Sequence, residues 1–365
     1  MISLNFLPSR RIAWYLAWSF LKTSFAVLVG LVVILAMLDL LGNSGRILAQ
    51  PGNGQAELWR YVGLRVPQMI QQFLPFALLL GTLITLASMN QHSEIISMKA
   101  AGISAHQIIA PLILASLLVA GLNFMFNERI TTRATAALNA WADVKYGNVP
   151  PPTGTQTNVW VRVGDDLIFA RQVMGTGADT RLQGVTIYDR TGGTLTGTLE
   201  AESGRFASPG WELVNTRRFD AEAGSVARAP RLTVAPEVDP IQFTLAAVDP
   251  NEQDFWELRR SIDELEQAGR SIRSVESSWW HKISGPLSGV LMPLLAAIAA
   301  FGLARSGQLF LRAVAGMGLG FSYFVADNFA LAMGNFGAYP PLLAAWGPFV
   351  LFALIGEAVL VRTEE

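Results

Sequence analysis

The chain has 365 residues, of which 51% are hydrophobic and only 15% charged, with a mean hydropathy of +0.36. A soluble domain is about one quarter charged, so this balance predicts a membrane protein. A net charge of −1 argues against a nucleic-acid binder. The lack of cysteine excludes disulfides, thiolate nucleophiles and cysteine-ligated metals, and three histidines (His92, His106 and His281) give no reason to expect a histidine metal cluster.

Arg10 and Arg11 precede an apolar run that reaches about Leu41. A cleaved signal peptide has an apolar core of roughly 7–15 residues, so this longer run reads as an uncleaved anchor. Stretches able to cross roughly 30 Å of hydrocarbon occur at residues 23–42, 64–87, 107–126, 282–303, 309–332 and 341–361, which predicts six spans in two blocks of three. Residues 12–22, IAWYLAWSFLK, hold two Trp, a Tyr and Lys22 and read as an interfacial lead-in to the first span.

Residues 93–104, SEIISMKAAGIS, lie between the second and third spans and are too polar to cross a bilayer. As a helix they place Ile95, Met98 and Ile103 on an apolar stripe and leave Glu94 and Lys99 wet. The pattern permits two readings. One is an ordinary interfacial loop helix. The other is a coupling helix, whose stripe docks into a groove of a cytoplasmic motor while a carboxylate pairs with a motor arginine.

From Asn158 the pattern alternates with the strand period, Val159, Val161 and Val163 on one face, Trp160 and Arg162 on the other. Asp165-Asp166 reads as a turn into LIFARQV, followed by GVTIYDR, TLTGTLEAES after a Gly192-Gly193 turn, RFAS and WELVNTRRF. Such a series predicts an all-β sandwich or jelly roll. From about Glu252, EQDFWELRRSIDELEQAG has helical spacing and ends on Gly269. Basic residues Arg10, Arg11, Lys99, Arg305 and Arg362 fall on one side of the predicted spans and Arg46, Arg60 and Arg65 on the other, which puts both termini in the cytoplasm and the β domain outside it. The fold class expected is thus an α-helical integral membrane protein of six transmembrane helices with an inserted extracytoplasmic, jelly-roll-like all-β domain. Its parts would be a first membrane block at 1–126, the β domain with helical linkers at 127–280 and a second membrane block at 281–365.

The sequence has no GxxxxGK[ST], so nucleotide chemistry would belong to another chain. It has no GxSxG either; Ser288 in GPLSG is the nearest imitation, and Asp165-Asp166 is a solvated turn rather than a catalytic pair. Gly316-Met-Gly-Leu-Gly320 follows no strand and reads as a helix-packing run. No catalytic residue and no metal ligand are expected.

The segment 93–104 resembles the cytoplasmic loop of the LptF/LptG (YjgP/YjgQ) family of lipopolysaccharide export permeases. The resemblance extends to FLPFALLLG (73–81), Asn127-Glu128, VWVRVGDDLIFA (159–170), GVTIYDR (184–190), WWHKISGPLS (279–288) and SYFVADNFALAMG (322–334), closer to the LptG branch. It implies a permease subunit of an ABC exporter, not itself an enzyme. An LptF-like chain would pair with it, an LptB-like ATPase dimer would bind ATP and Mg²⁺ below, and LptC-like and LptA-like proteins would receive the lipid from the periplasmic β domain. Location in the bacterial inner membrane follows from the same resemblance.

Carried onto this chain, the resemblance makes Glu94, with Ile95, Met98 and Lys99, the contact to the ATPase. Asp39 and Asp327 match acidic positions of the family, and buried acids in a span are functional candidates by default. Span one lacks the lysines common in LptG, having Ala36, Gly42, Asn43 and a single base, Arg46; phosphate contacts would fall to Arg46, Arg129 or Arg133, or to the partner subunit. Phe73 and Phe321 are candidates for acyl-chain contact, and Val159, Val161, Ile168 and Ile187 for an apolar channel in the β domain. A different class, an ion-coupled secondary transporter, would be favoured by more paired intramembrane charges and an inverted repeat, and the two blocks of three show no clear internal similarity.

Overall fold

The computed structural model describes residues 7–149, 156–175, 179–191, 194–207, 210–221, 223–234, 238, 240, 243, 249–267, 271–302 and 309–364. They form two compact units, Met1–Asn148 with Pro250–Arg259 and Ile272–Glu365, and Val149–Asp249 with Arg260–Ser271. The first unit is helical and the second is built on a β-sheet.

In chain order the N-terminal helices are α1 (Arg10–Leu48), α2 (Gln55–Gln91), the short α3 (Glu94–Ala100) and α4 (Ala105–Phe126), which runs through a π-helical turn (Asn127–Thr131) into α5 (Thr132–Asp143). After the sheet come α6 (Phe255–Gln267), α7 (Arg273–Gly302), α8 (Leu309–Asn335) and α9 (Pro341–Glu364). Helices of 30 and 27 residues, α7 and α8, occupy the fourth and fifth expected span positions. Among the described residues, α1, α2, the stretch Ala105–Asp143 and Pro341–Arg362 are long and apolar enough to cross a membrane.

The third helix departs from expectation. It does not stop at residue 126 but continues to Asp143, because Thr131, Thr132, Ala134, Thr135, Leu138 and Trp141 keep a buried face beyond the apolar run. The π turn absorbs a residue that the α-helical repeat would misplace.

Helix packing centres on Phe20, Leu86, Ile108, Ile109, Leu112 and Leu295, all fully buried. In lipid, such contacts gain from dispersion and close approach rather than from escape from water. Gly81 shows the approach: a Cβ there would lie 2.1 Å from Ser24 Oγ on α1. Gly320, at the end of the GMGLG run, does the same for Leu79 of α2, at 2.3 Å, whereas Gly318 faces open space. By contrast α1 buries only Leu16, Phe20, Ser24, Val32 and Ile47 of its 39 residues. A helix apolar on every side but so little covered is suited to lipid or to another membrane chain.

The second unit holds a six-stranded antiparallel sheet: β1 (Gln156–Val163), β2 (Asp166–Met174), β3 (Arg181–Thr191), β4 (Thr194–Ala207), β5 (Gly210–Asp220) and β6 (Ser225–Val234). Each strand pairs with its sequence neighbour, an up-and-down meander. The described strands therefore lack the crossover that defines a jelly roll; links of two to six residues between strands reach only as far as the adjacent one. TLTGTLEAES and RFAS, read as separate runs, form one strand, and the expected Gly192-Gly193 turn lies outside the described residues. The register opposes Val161 to Ile168 and Ile168 to Ile187. One slip would turn all of these outward, so the buried face fixes the pairing. Trp211 closes the core, donating its indole N–H to the Val238 carbonyl at 2.8 Å and meeting the Phe243 ring edge-on at 5.0 Å.

The close approach at Gly81 is testable. Gly81→Ala is expected to destabilise the purified protein by about 1–3 kcal/mol, as overpacking does. Gly30→Ala, where a Cβ meets nothing within 4 Å, is expected to be neutral or better in the same thermal unfolding measurement.

Candidate functional site

The segment between α2 and α4 is folded as a single short helix held at both ends. Ser93 (φ 59°) and Gly102 (φ 82°) adopt the left-handed turns that reverse the chain on either side of α3. Ile95 is 6% exposed, and Met98 and Ile103 pack half-buried against the same helical core. Ile95 and, in part, Met98 thus turn toward the chain's own core. The outward apolar residue is Ile96, 60% exposed, beside the exposed Lys99. Glu94 accepts hydrogen bonds from the Tyr15 hydroxyl on α1, at 3.2 Å to Oε1 and 3.0 Å to Oε2. The loop carboxylate and the start of the first span are thus mechanically joined.

A second polar node lies at the other end of α1. Asp39 Oδ2 accepts from the Tyr61 hydroxyl at 2.7 Å, and Oδ1 lies 3.5 Å from Arg65 Nη2. Tyr61 and Arg65 are four residues apart on α2 and so share a face toward α1. Arg65 also donates to the side-chain carbonyl of Gln68. Arg46 is exposed and donates to Asn43 at 2.7 Å. Arg129 and Arg133 are both exposed, on the π turn and α5. These three arginines are therefore accessible, but no described contact gathers them with Asp39.

Of the apolar candidates, Phe73 is half-buried, 6.3 Å from Phe76, whose ring in turn meets Phe324 at 5.2 Å. Phe321 points away from the bundle, 59% exposed. Val159, Val161, Ile168 and Ile187 are buried in the core of the sheet, between 1% and 7% exposed.

Asp327 leads to the site that the sequence least suggests. It lies on the wall of a cavity of about 300 Å³ inside the helical unit, lined from α2, α4, the π turn, α5, residues 250–251, α7 and α8. His281 Nε2 meets Asp327 Oδ2 at 3.0 Å, and Lys282 Nζ lies 3.5 Å from Glu128 Oε1. The Lys282 and Glu128 side chains are only 8% and 13% exposed. Glu128 is further satisfied by the backbone N–H of Phe255, whose carbonyl accepts from the indole of Trp279 at 3.1 Å. Consecutive residues of α7 thus reach in two directions, one to α8 and one to the third helix.

His281, Lys282, Glu128, Tyr61, Arg65 and Tyr15 were not singled out as site residues from the sequence. An ionisable group within a predicted span would have flagged Lys282, at the start of the fourth, with His281 just before it. Their partners lie 154 and 46 positions away, where only the fold connects them.

Removing one member of the buried Lys282–Glu128 pair strands the other. Lys282→Met is expected to cost about 3–5 kcal/mol in unfolding from detergent, whereas Lys282→Met combined with Glu128→Leu recovers most of it. Equal losses in the single and double variants would contradict the pairing.

The sequence comparisons agree with this architecture. The family model for the lipopolysaccharide export system permease LptF/LptG matches residues 14–362. The chain is 26% identical to the lipopolysaccharide export system permease protein LptG of Escherichia coli strain K12, over 83% of this chain and 84% of that one. It is 25% identical to the protein of the same name from Haemophilus influenzae strain Rd, over 96% of this chain and 98% of that one. With a family match over nearly its whole length and helices fit to span a membrane, the chain belongs to the LptF/LptG family of lipopolysaccharide export permeases.

Proposed function

We propose that the chain is the LptG-type permease subunit of an ABC exporter, moving lipopolysaccharide out of the outer leaflet of the bacterial inner membrane through its β unit. The relatives carrying the LptG name support the branch. In this reading α1, α2, α4, α7, α8 and α9 are six spans, both termini are cytoplasmic and the β unit is periplasmic. An LptF-like chain covers the sparsely packed α1, an LptB-like ATPase dimer supplies ATP hydrolysis, and LptC-like and LptA-like proteins take the lipid onward. The apolar face of the meander around Val161 and Ile168 takes the role of the family's jelly-roll channel. Arg46, Arg129 and Arg133 are the accessible cations for lipid phosphates, and the exposed Phe321 is the acyl-chain contact.

The observation that carries the motor-coupled reading is α3. A seven-residue helix anchored inward by Ile95 and Met98, and tied to α1 through Glu94 and Tyr15, is built to transmit a push rather than to connect two spans. Ile96, Lys99 and Glu94 supply the outward face for the ATPase, and closure of the motor on ATP tilts α1 and squeezes the lipid toward the β unit. The buried Lys282–Glu128 ion pair, with the His281–Asp327 contact beside it, favours a second reading as an ion-coupled carrier; such a carrier needs no ATPase.

Glu94→Lys tests the choice. Motor coupling predicts loss of ATPase co-purification or of lipopolysaccharide export by tenfold or more (about 1.4 kcal/mol or greater at the contact), with an unchanged melting temperature. Full export and normal assembly in that variant would remove α3 from the mechanism.

A further inference from the structure

The cavity beside Asp327 holds polar groups that the Lys282–Glu128 ion pair and the His281–Asp327 contact leave over. Asn123 Oδ1 and Thr131 Oγ1 line it and have no hydrogen-bond partner among the described residues, although Asn123 is 7% and Thr131 3% exposed. Pro75 and Pro286 lie inside α2 and α7 and carry no N–H. The carbonyls four residues before them, of Gln71 and Lys282, therefore lose their helical donor, and both residues stand on the cavity wall. Thr131 also ends the π turn, a feature that recurs at functional sites. Unpaired groups so deeply buried are costly unless something occupies the space.

The chemistry of these groups narrows the occupant. The charged side chains on the wall are already paired, so a phosphate finds no free cation there. An acyl chain would leave Asn123 and Thr131 unsatisfied. What remains is a set of neutral acceptors and amides that both donate and accept, Gln68, Gln71 and Gln72 among them, beside the rings of Phe76, Tyr323 and Phe324. Hydroxyls answer to amides in both senses, and the C–H faces of a sugar ring lie well on aromatic walls. A volume of about 300 Å³ is at the small end of ligand sites.

We infer that this cavity binds a neutral, hydroxyl-rich ligand, a sugar ring either free or as the head group of a glycolipid, with Asn123 and Thr131 as its buried contacts. The site lies within one chain and does not depend on the export reading.

The test uses the full chain purified in a polyoxyethylene detergent, which carries no sugar, titrated with maltose or with decyl β-maltoside while the melting temperature is followed. A saturable rise is expected, with apparent affinity weakened about tenfold in Thr131→Val and in Asn123→Leu, the loss of one hydrogen bond. Thr131→Val keeps the shape and removes only an unpartnered hydroxyl, so it decides the matter if Asn123→Leu does not fold. A rise with maltose marks a soluble sugar site, and a rise with decyl β-maltoside alone marks a glycolipid head-group site. No saturable rise with either, or a rise unchanged in the variants, overturns the proposal.

Discussion

In a hydrocarbon medium a charge must find its partner inside the protein, and this requirement organises the helical unit. Lys282 and His281 are neighbours on α7 and, at about 100° per residue, point in different directions. Lys282 reaches Glu128 on the π turn of the third helix, and His281 reaches Asp327 on α8. Together they fix the rotation of α7 about its own axis. Glu128 also receives the Phe255 N–H, so the chain re-entering the helical unit docks on the same carboxylate. The polar cavity lies beside this arrangement, with His281, Lys282 and Asp327 on its wall.

Against that centre, α1 packs along one narrow face. Its described ties are a narrow strip of packing, the Gly81–Ser24 approach, and one polar contact near each end: Tyr15 with Glu94, and Asp39 with Tyr61 and Arg65. The helix packs one narrow face against α2 and leaves its other faces uncovered. One hydrogen-bonded carboxylate, Glu94, links α3 to this helix through Tyr15.

Much of this architecture is legible in the residues. Hydropathy places the long helices, and the alternation Val159, Val161, Val163 against Trp160 identifies which face of β1 is covered. The stripe of Ile95, Met98 and Ile103 is legible as a stripe, but periodicity does not say whose surface takes it; here the chain's own core does. The continuation to Asp143 is hidden because its buried face mixes Thr132, Ala134 and Thr135 with only Leu138 and Trp141, too little to register as an apolar run. A row of strands predicts a sheet, while strand order depends on loop reach, so the meander emerges only from the pairing. Lys282 and Glu128 look like ordinary polar ends of two separate helices until folding brings them within 3.5 Å.

The central claim is that α3 presents an outward face to an ATPase. A photo-crosslinking amino acid placed at Ile96, activated in native membranes and analysed by mass spectrometry, tests it most directly. The account predicts an adduct with a protein bearing a Walker A motif, lost when Glu94→Lys is added. An Ile96 position that crosslinks only to lipid or to other parts of this chain, under conditions where the protein is exporting, would contradict it.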